Sequence, residues 1–179
     1  MSERASLGEA VKGRGPYVVW DLLSEQEQHD AAAALWTNAD RPSRAAIEQA
    51  LAKELKFRPQ SVRRLPVERV AGRLSRLAEN LPEPALFQFL LHLHLADRRT
   101  LLVELLDSLE LPHKDGVLDL ADDATPPAAD KLEVAARKLI EAHGRQALVY
   151  LATLKVADSD FWTGLDPVLA EYGDDGEKL

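Results

Sequence analysis

The sequence predicts an all-α protein, a multi-helix bundle or short helical-repeat-like stack of about seven to nine helices. Three observations carry this. Apolar residues recur at spacings of three and four through most of the 179 residues, the ten prolines fall between those periodic stretches, and alternating patterns are confined to two short segments. Proline lacks an amide hydrogen and clashes with the preceding turn, so it starts helices or separates them. The helices are therefore expected in the gaps. A chain of this mass buries roughly 70% of the surface its unfolded form exposes, enough for a core without staples.

Residues 1–16 lack an apolar stripe and contain Gly8, Gly13 and Gly15, which predicts a disordered N-terminal tail. Tyr17–Trp20 reads as an extended anchoring arm. Ser24 with Glu27 forms a capping-box pattern, so a helix is expected over about 25–38, with Ala31, Ala32, Leu35 and Trp36 inward. Ile47, Ala50, Leu51 and Leu55 predict a second over about 43–55. A short turn of helix is expected after Pro59. Val67, Val70, Ala71, Leu74, Leu77, Ala78 and Leu81 trace one stripe of the next helix, and Arg69, Arg73 and Arg76 trace another.

Pro84 opens a segment that is apolar nearly all round, from Leu86 to Leu95, the pattern of a central buried helix. Asp97 is placed to cap the helix that carries Leu101, Leu102, Leu105, Leu106 and Leu109. Residues 111–125 form a connector with an Asp115–Gly116 turn signal, read equally well as a brief strand or an extended loop. A further helix should run from Thr125 to His143 and stop at Gly144. After it come a helix over 146–156, a short one containing Phe161 and Trp162, and a last turn after Pro167. Residues 173–179 read as a loose acidic tail.

Residues 17–172 thus read as a single helical domain. Within it, 66–110 and 126–172 form two possibly related helix sets. Phe89–Asp97 lies over Tyr150–Asp158 at an offset of 61, with Leu90 on Leu151, Leu93 on Leu154, Ala96 on Ala157 and Asp97 on Asp158. A duplication would resemble a helical repeat array, in which each hairpin buries its apolar face against a neighbour. Chance alignment of Leu- and Ala-rich helices explains the same match.

The chain has no cysteine, so disulfides and thiolate metal sites are excluded. The N-terminal residues lack the apolar core of about 7–15 residues that a signal peptide needs. Nor is there an apolar run near the roughly 18 residues of a membrane span, so no membrane partner and a cytoplasmic location are expected. The net charge of −8 argues against non-specific nucleic-acid binding by the molecule as a whole. It also conceals an asymmetry. Residues 41–76 carry ten Lys and Arg against three Glu, net +7, which leaves −15 elsewhere.

No constellation of catalytic or cofactor-binding residues emerges, and no cofactor or metal is expected. His92 and His94 are two apart, which on a helix points them about 200° away from each other. His143 suits a helix C-terminus. Asp115, Asp119, Asp122 and Asp123 lack the spacing and the bidentate Glu of a calcium loop. The glycines are isolated and no serine sits in a nucleophile elbow. The candidate site is the arginine-rich stretch: Arg58, Arg63 and Arg64 around a Pro-bounded segment, then Arg69, Arg73 and Arg76 on one helix face. Guanidinium rows bind carboxylates or phosphates. The sequence therefore points to a non-enzymatic protein-interaction or regulatory module with a protein partner or self-association. Nucleic-acid binding through the Arg face is the alternative, and an enzyme with a helical-cleft active site stands third.

Overall fold

The computed structural model describes residues 5–179. The chain is 69% helical, with eleven α-helices among the described residues and one minor two-stranded sheet. In chain order the helices are α1 (Leu7–Arg14), α2 (Pro16–Asp21), α3 (Glu25–Asn38), α4 (Arg41–Leu55), α5 (Pro59–Val62), α6 (Val67–Leu77), α7 (Glu83–Asp97), α8 (Arg99–Ser108), α9 (Ala129–His143), α10 (Arg145–Ala157) and α11 (Asp166–Leu169). The expected seven to nine are exceeded because the N-terminal region contributes two helices and because α5 and α11 are single turns of four residues. None of the helices is long and apolar enough to cross a membrane. The chain divides into two compact units.

Unit 1 comprises Met1–Leu22 and Asp97–Leu179. Its core helix is α10, in which Ala147 through Lys155 are buried without a break. The helix is apolar on nearly every face because α9, α1 and α2 all pack on it. Lys155 is the exception in that run. Its side chain is 1% exposed, its Nζ lies 2.8 Å from Asp166 Oδ1, and it donates to the Ser159 carbonyl at 2.8 Å. A 3-10 turn, Thr163–Leu165, lies against α9 so closely that a Cβ on Gly164 would stand 3.0 Å from Ala129 Cα.

Two expectations about the ends of the chain are corrected. Within the described part of residues 1–16, Leu7–Arg14 is helical, and Tyr17–Trp20 belongs to α2 rather than to an extended arm. Ser6 and Glu9 form a capping box at the start of α1, and the Leu7 amide donates to the Tyr172 carbonyl at 2.7 Å. Gly15, at φ 55°, turns the chain between the two helices. Residues 173–179 are tied rather than loose. Tyr172 pairs with Lys178, the Gly173 amide donates to Glu177, and the Leu179 amide donates to Glu171. In the connector, β1 (His113–Lys114) pairs antiparallel with β2 (Val117–Leu118). Asp115 and Gly116 both have positive φ, the conformation an Asp-Gly hairpin turn requires.

Unit 2 is continuous, Leu23–Ala96. Ser24 and Glu27 form the expected capping box of α3. The helix buries Ala31, Ala32, Ala34, Leu35 and Trp36 and packs chiefly against α6, whose buried residues are Val70, Ala71 and Leu74. Alanines on α3 let the two helices approach closely. α7 buries Leu86, Phe89, Leu90, Leu93 and His94. α4 is packed differently. Capped by Asp40, whose carboxylate accepts from the Ser43 amide at 2.8 Å, it buries only Glu48, Leu51 and Ala52. Ile47 and Leu55 of its predicted inward stripe are half-buried, and Ala50 is exposed.

The two sequence sets are partnered unequally. α9 packs on α10, whereas α6 packs chiefly on α3, which lies outside the first set. That set is divided at Asp97 between the units. Its third helix, α8, has ten residues, where the second set has a 3-10 turn and the four-residue α11.

Candidate functional site

The six predicted arginines all lie in unit 2 and all are exposed. Arg58 precedes α5, with Pro59 at its first position, and Arg63 and Arg64 follow it. Arg69, Arg73 and Arg76 project from α6 at spacings of four and three, which places them on one side of the helix. Among the described residues, Arg58, Arg64, Arg69, Arg73 and Arg76 make no ion pair and no side-chain hydrogen bond.

Arg63 differs. Its Nε donates to both carboxylate oxygens of Glu48 at 2.7 Å, and Glu48 is 2% exposed. A desolvated carboxylate needs a charged donor, and Arg63 supplies it from the surface. This ion pair forms part of a cleft of about 530 Å³, whose walls are Trp36 and Thr37 at the end of α3, Arg41, Arg44 and Glu48 on α4, and Arg63. The Arg44 guanidinium lies 5.8 Å from the centre of the Trp36 ring, and its Nη2 donates to the Thr37 carbonyl at 2.7 Å. Its buried Nε has no hydrogen-bond partner.

Arg41 and Arg44 were not among the candidates singled out from sequence. The signal was present, since the basic stretch begins at Arg41, but neither residue belongs to the row on α6. On the other flank of α4 lies an apolar groove of about 240 Å³, bounded by Ile47 and Ala50 of α4, Leu74 and Leu77 of α6, Leu81, and Phe89 of α7. α4 is thus a partition between a cationic cleft and an apolar groove.

Charge follows the same division. Unit 2 holds ten Lys and Arg against nine Asp and Glu, net +1, so of the chain's −8 unit 1 carries −9.

The histidines are tied into local structure. His113 Nε2 lies 2.9 Å from Asp107 Oδ1 and its Nδ1 accepts from the Gly116 amide, while His143 Nε2 lies 2.6 Å from Glu104. His29 Nε2 lies 3.2 Å from the Glu68 carbonyl. Burial lowers the pKa of His92 below its usual value, with Asp40 acting in the opposite sense. His94 is buried. Among the described residues, no group of three or more His, Asp or Glu side chains is arranged to hold a metal. Trp20 and Trp162 are core residues, and only Trp36 borders a cavity named above. No protein-family model, curated protein or solved structure matches this chain.

Proposed function

We propose that this chain is a non-enzymatic interaction module that binds an acidic segment of a protein partner through the arginine-bearing surface of unit 2. The observation that carries the reading is the five exposed arginines without an acidic partner. Guanidinium groups left unpaired in a chain with 30 Asp and Glu are available to an outside carboxylate. The cleft adds two further guanidiniums beside an aromatic ring, a combination common at protein interfaces.

A protein partner is preferred to nucleic acid because the chain as a whole carries −8, which repels a dense phosphate polyanion more than a segment with a few carboxylates, and because Glu68 lies within the arginine-rich stretch and Glu79 just beyond it. The test is a titration of an acidic peptide, single- and double-stranded DNA, and RNA, each at low and physiological salt. The peptide is expected to bind, with salt mainly slowing association. Replacing Arg69, Arg73 and Arg76 together by Gln should weaken it. Tight nucleic-acid binding at physiological salt would overturn the reading, especially if each lost arginine flattened the salt slope by roughly 0.7 to 0.9. Concentration-dependent mass in sedimentation, abolished by the same triple substitution, would make a second copy of the chain the partner.

A further inference from the structure

We infer that the apolar groove of unit 2 receives an amphipathic helix of the partner, whose acidic edge faces the α6 arginines; this rests on the reading of unit 2 as a module for acidic partners. The groove has a built floor and unfinished walls. Leu35, Leu74 and Phe89 at its base are buried, whereas Ile47, Leu77 and Leu81 remain partly buried and Ala46 and Ala50 are exposed. A cavity of about 150 Å³ holds one benzene, so the 240 Å³ here accommodates a pair of aliphatic side chains. It is too small for a helix backbone. A helix would therefore lie across the opening and insert anchors spaced by three or four residues, the established mode for helix-in-groove recognition.

The charge pattern selects the occupant. No charged residue lines the groove itself. On a helical projection of α6, Arg73 lies about 40° beyond Leu77, with Arg69 and Arg76 about 80–100° beyond it, on the side away from Ala71 and Ala78. The α6 rim of the groove is thus cationic, whereas the opposing α4 rim of Ser43, Ala46 and Ala50 has the oppositely charged Lys53 and Glu54 beside it and carries no net charge. A helix with apolar anchors and Asp or Glu along one edge matches both rims in one orientation only. The cleft on the far flank of α4 is centred about 160° away around that helix, so it does not compete for the same side chains.

The experiment uses the full chain, isotope-labelled for NMR, and a synthetic peptide of about 16 residues, long enough for a helix to form. The peptide carries Leu at i, i+4 and i+7 with Glu along one edge. One comparison peptide has Lys in place of Glu, and another has Ser in place of Leu. The acidic peptide is expected to shift the amide signals of Ala46, Ala50, Leu77 and Leu81. Ala50→Glu, at an exposed helical position that leaves folding intact by circular dichroism, should weaken it about tenfold or more by placing a charge against the anchors. Arg73→Glu should narrow the preference for the Glu over the Lys peptide, because it lowers the charge of the α6 rim from +3 to +1. If the Ser peptide binds as well as the Leu peptide and Ala50→Glu changes nothing while Arg73→Glu weakens binding, the groove inference fails and the acidic-partner reading stands. If no acidic peptide binds at low salt, both fail. A self-associated protein that Ala50→Glu renders monomeric would put a second copy in the groove and overturn the assignment to a separate partner.

Discussion

Units 1 and 2 are both helical, yet they finish their packing to different degrees. In unit 1, α10 buries nine consecutive residues, a lysine included, and Gly164 sits where even a methyl group would collide with α9. In unit 2, α4 has buried residues only from Glu48 to Ala52 and open cavities on both flanks. Charge is handled differently as well. Unit 1 neutralises its most buried cation internally, while unit 2 leaves five guanidiniums without partners. Recognition surfaces are expected where packing is left incomplete, because a surface that is already satisfied gains nothing from a partner.

The largest effect should come from emptying the cores and comparing them with the groove. Leu151 in unit 1 and Leu93 in unit 2 are 0% and 1% exposed, and replacement of either by Ala should cost about 2–5 kcal/mol in urea unfolding. Ile47→Ala should cost about 1 kcal/mol or less, because Ile47 is only half-buried and already borders a cavity. Equal costs at Ile47 and Leu93 would show that α4 is packed as fully as α7, and the contrast between the units would disappear.

Next in size is the buried ion pair. Asp166→Ala leaves the Lys155 ammonium in the interior with only a carbonyl, and should cost about 3 kcal/mol, the lower end of the range for such removals because Asp166 is itself partly exposed. Lys155→Met removes the charge and keeps the volume, so it should be far milder. A similar loss in both variants would mean that geometry rather than desolvation sets the cost.

What the sequence made legible follows from the range of the interactions involved. The Ser24–Glu27 cap, the middle of the α6 stripe and the inner face of α7 are local patterns legible in the sequence, although Val67 at the start of that stripe is exposed and Phe87, Leu91 and Leu95 of α7 are only partly buried. Ser6–Glu9 is the same cap, but the glycines around it suggested fraying. What secures α1 is the pairing of Leu7 and Ser6 with Tyr172 and Gly173, more than 160 positions away, which no local pattern reveals. The failed burial of Ala50 has a related cause. A stripe at helical spacing records which face is apolar, but not whether a neighbour covers it. For the same reason, the arginines were found by composition, whereas the Glu48–Arg63 pair and the position of Arg44 over Trp36 depended on how α3, α4 and α5 come together.

Two glycines sharpen the comparison in opposite directions. Gly164→Ala places its Cβ 3.0 Å from both Ala129 Cα and Leu132 Cδ2, and overpacking of this kind should cost about 1–3 kcal/mol. Gly72 lies inside α6 with nothing within 4 Å of an added Cβ. There the substitution should stabilise by about 0.5–1 kcal/mol, through helix propensity and a smaller unfolded ensemble. Thermal melts of the two variants provide the comparison. A destabilising Gly72→Ala would mean that the outer side of α6 is covered.

The smallest effect discriminates best between a surface kept for binding and one that merely faces water. Arg73 stands four residues after Arg69 and three before Arg76, with no acid three or four residues from it, and like charges so placed on a helix destabilise it by about 0.2–0.5 kcal/mol each. Arg73→Gln should therefore stabilise the protein slightly at low salt, and the gain should fade as salt screens the repulsion. The helix dipole orders the neighbours. Arg69 is in the first turn of α6, where a cation is unfavourable, and Arg76 is in the last, where it is favourable. Arg69→Gln should consequently gain more than Arg76→Gln. If these variants are more stable yet bind the acidic peptide less tightly, the arginines hold an unfavourable arrangement that recognition exploits. If Arg73→Gln instead lowers stability by more than about 0.5 kcal/mol, the guanidinium has a structural role within unit 2, and the case for a free binding face is lost.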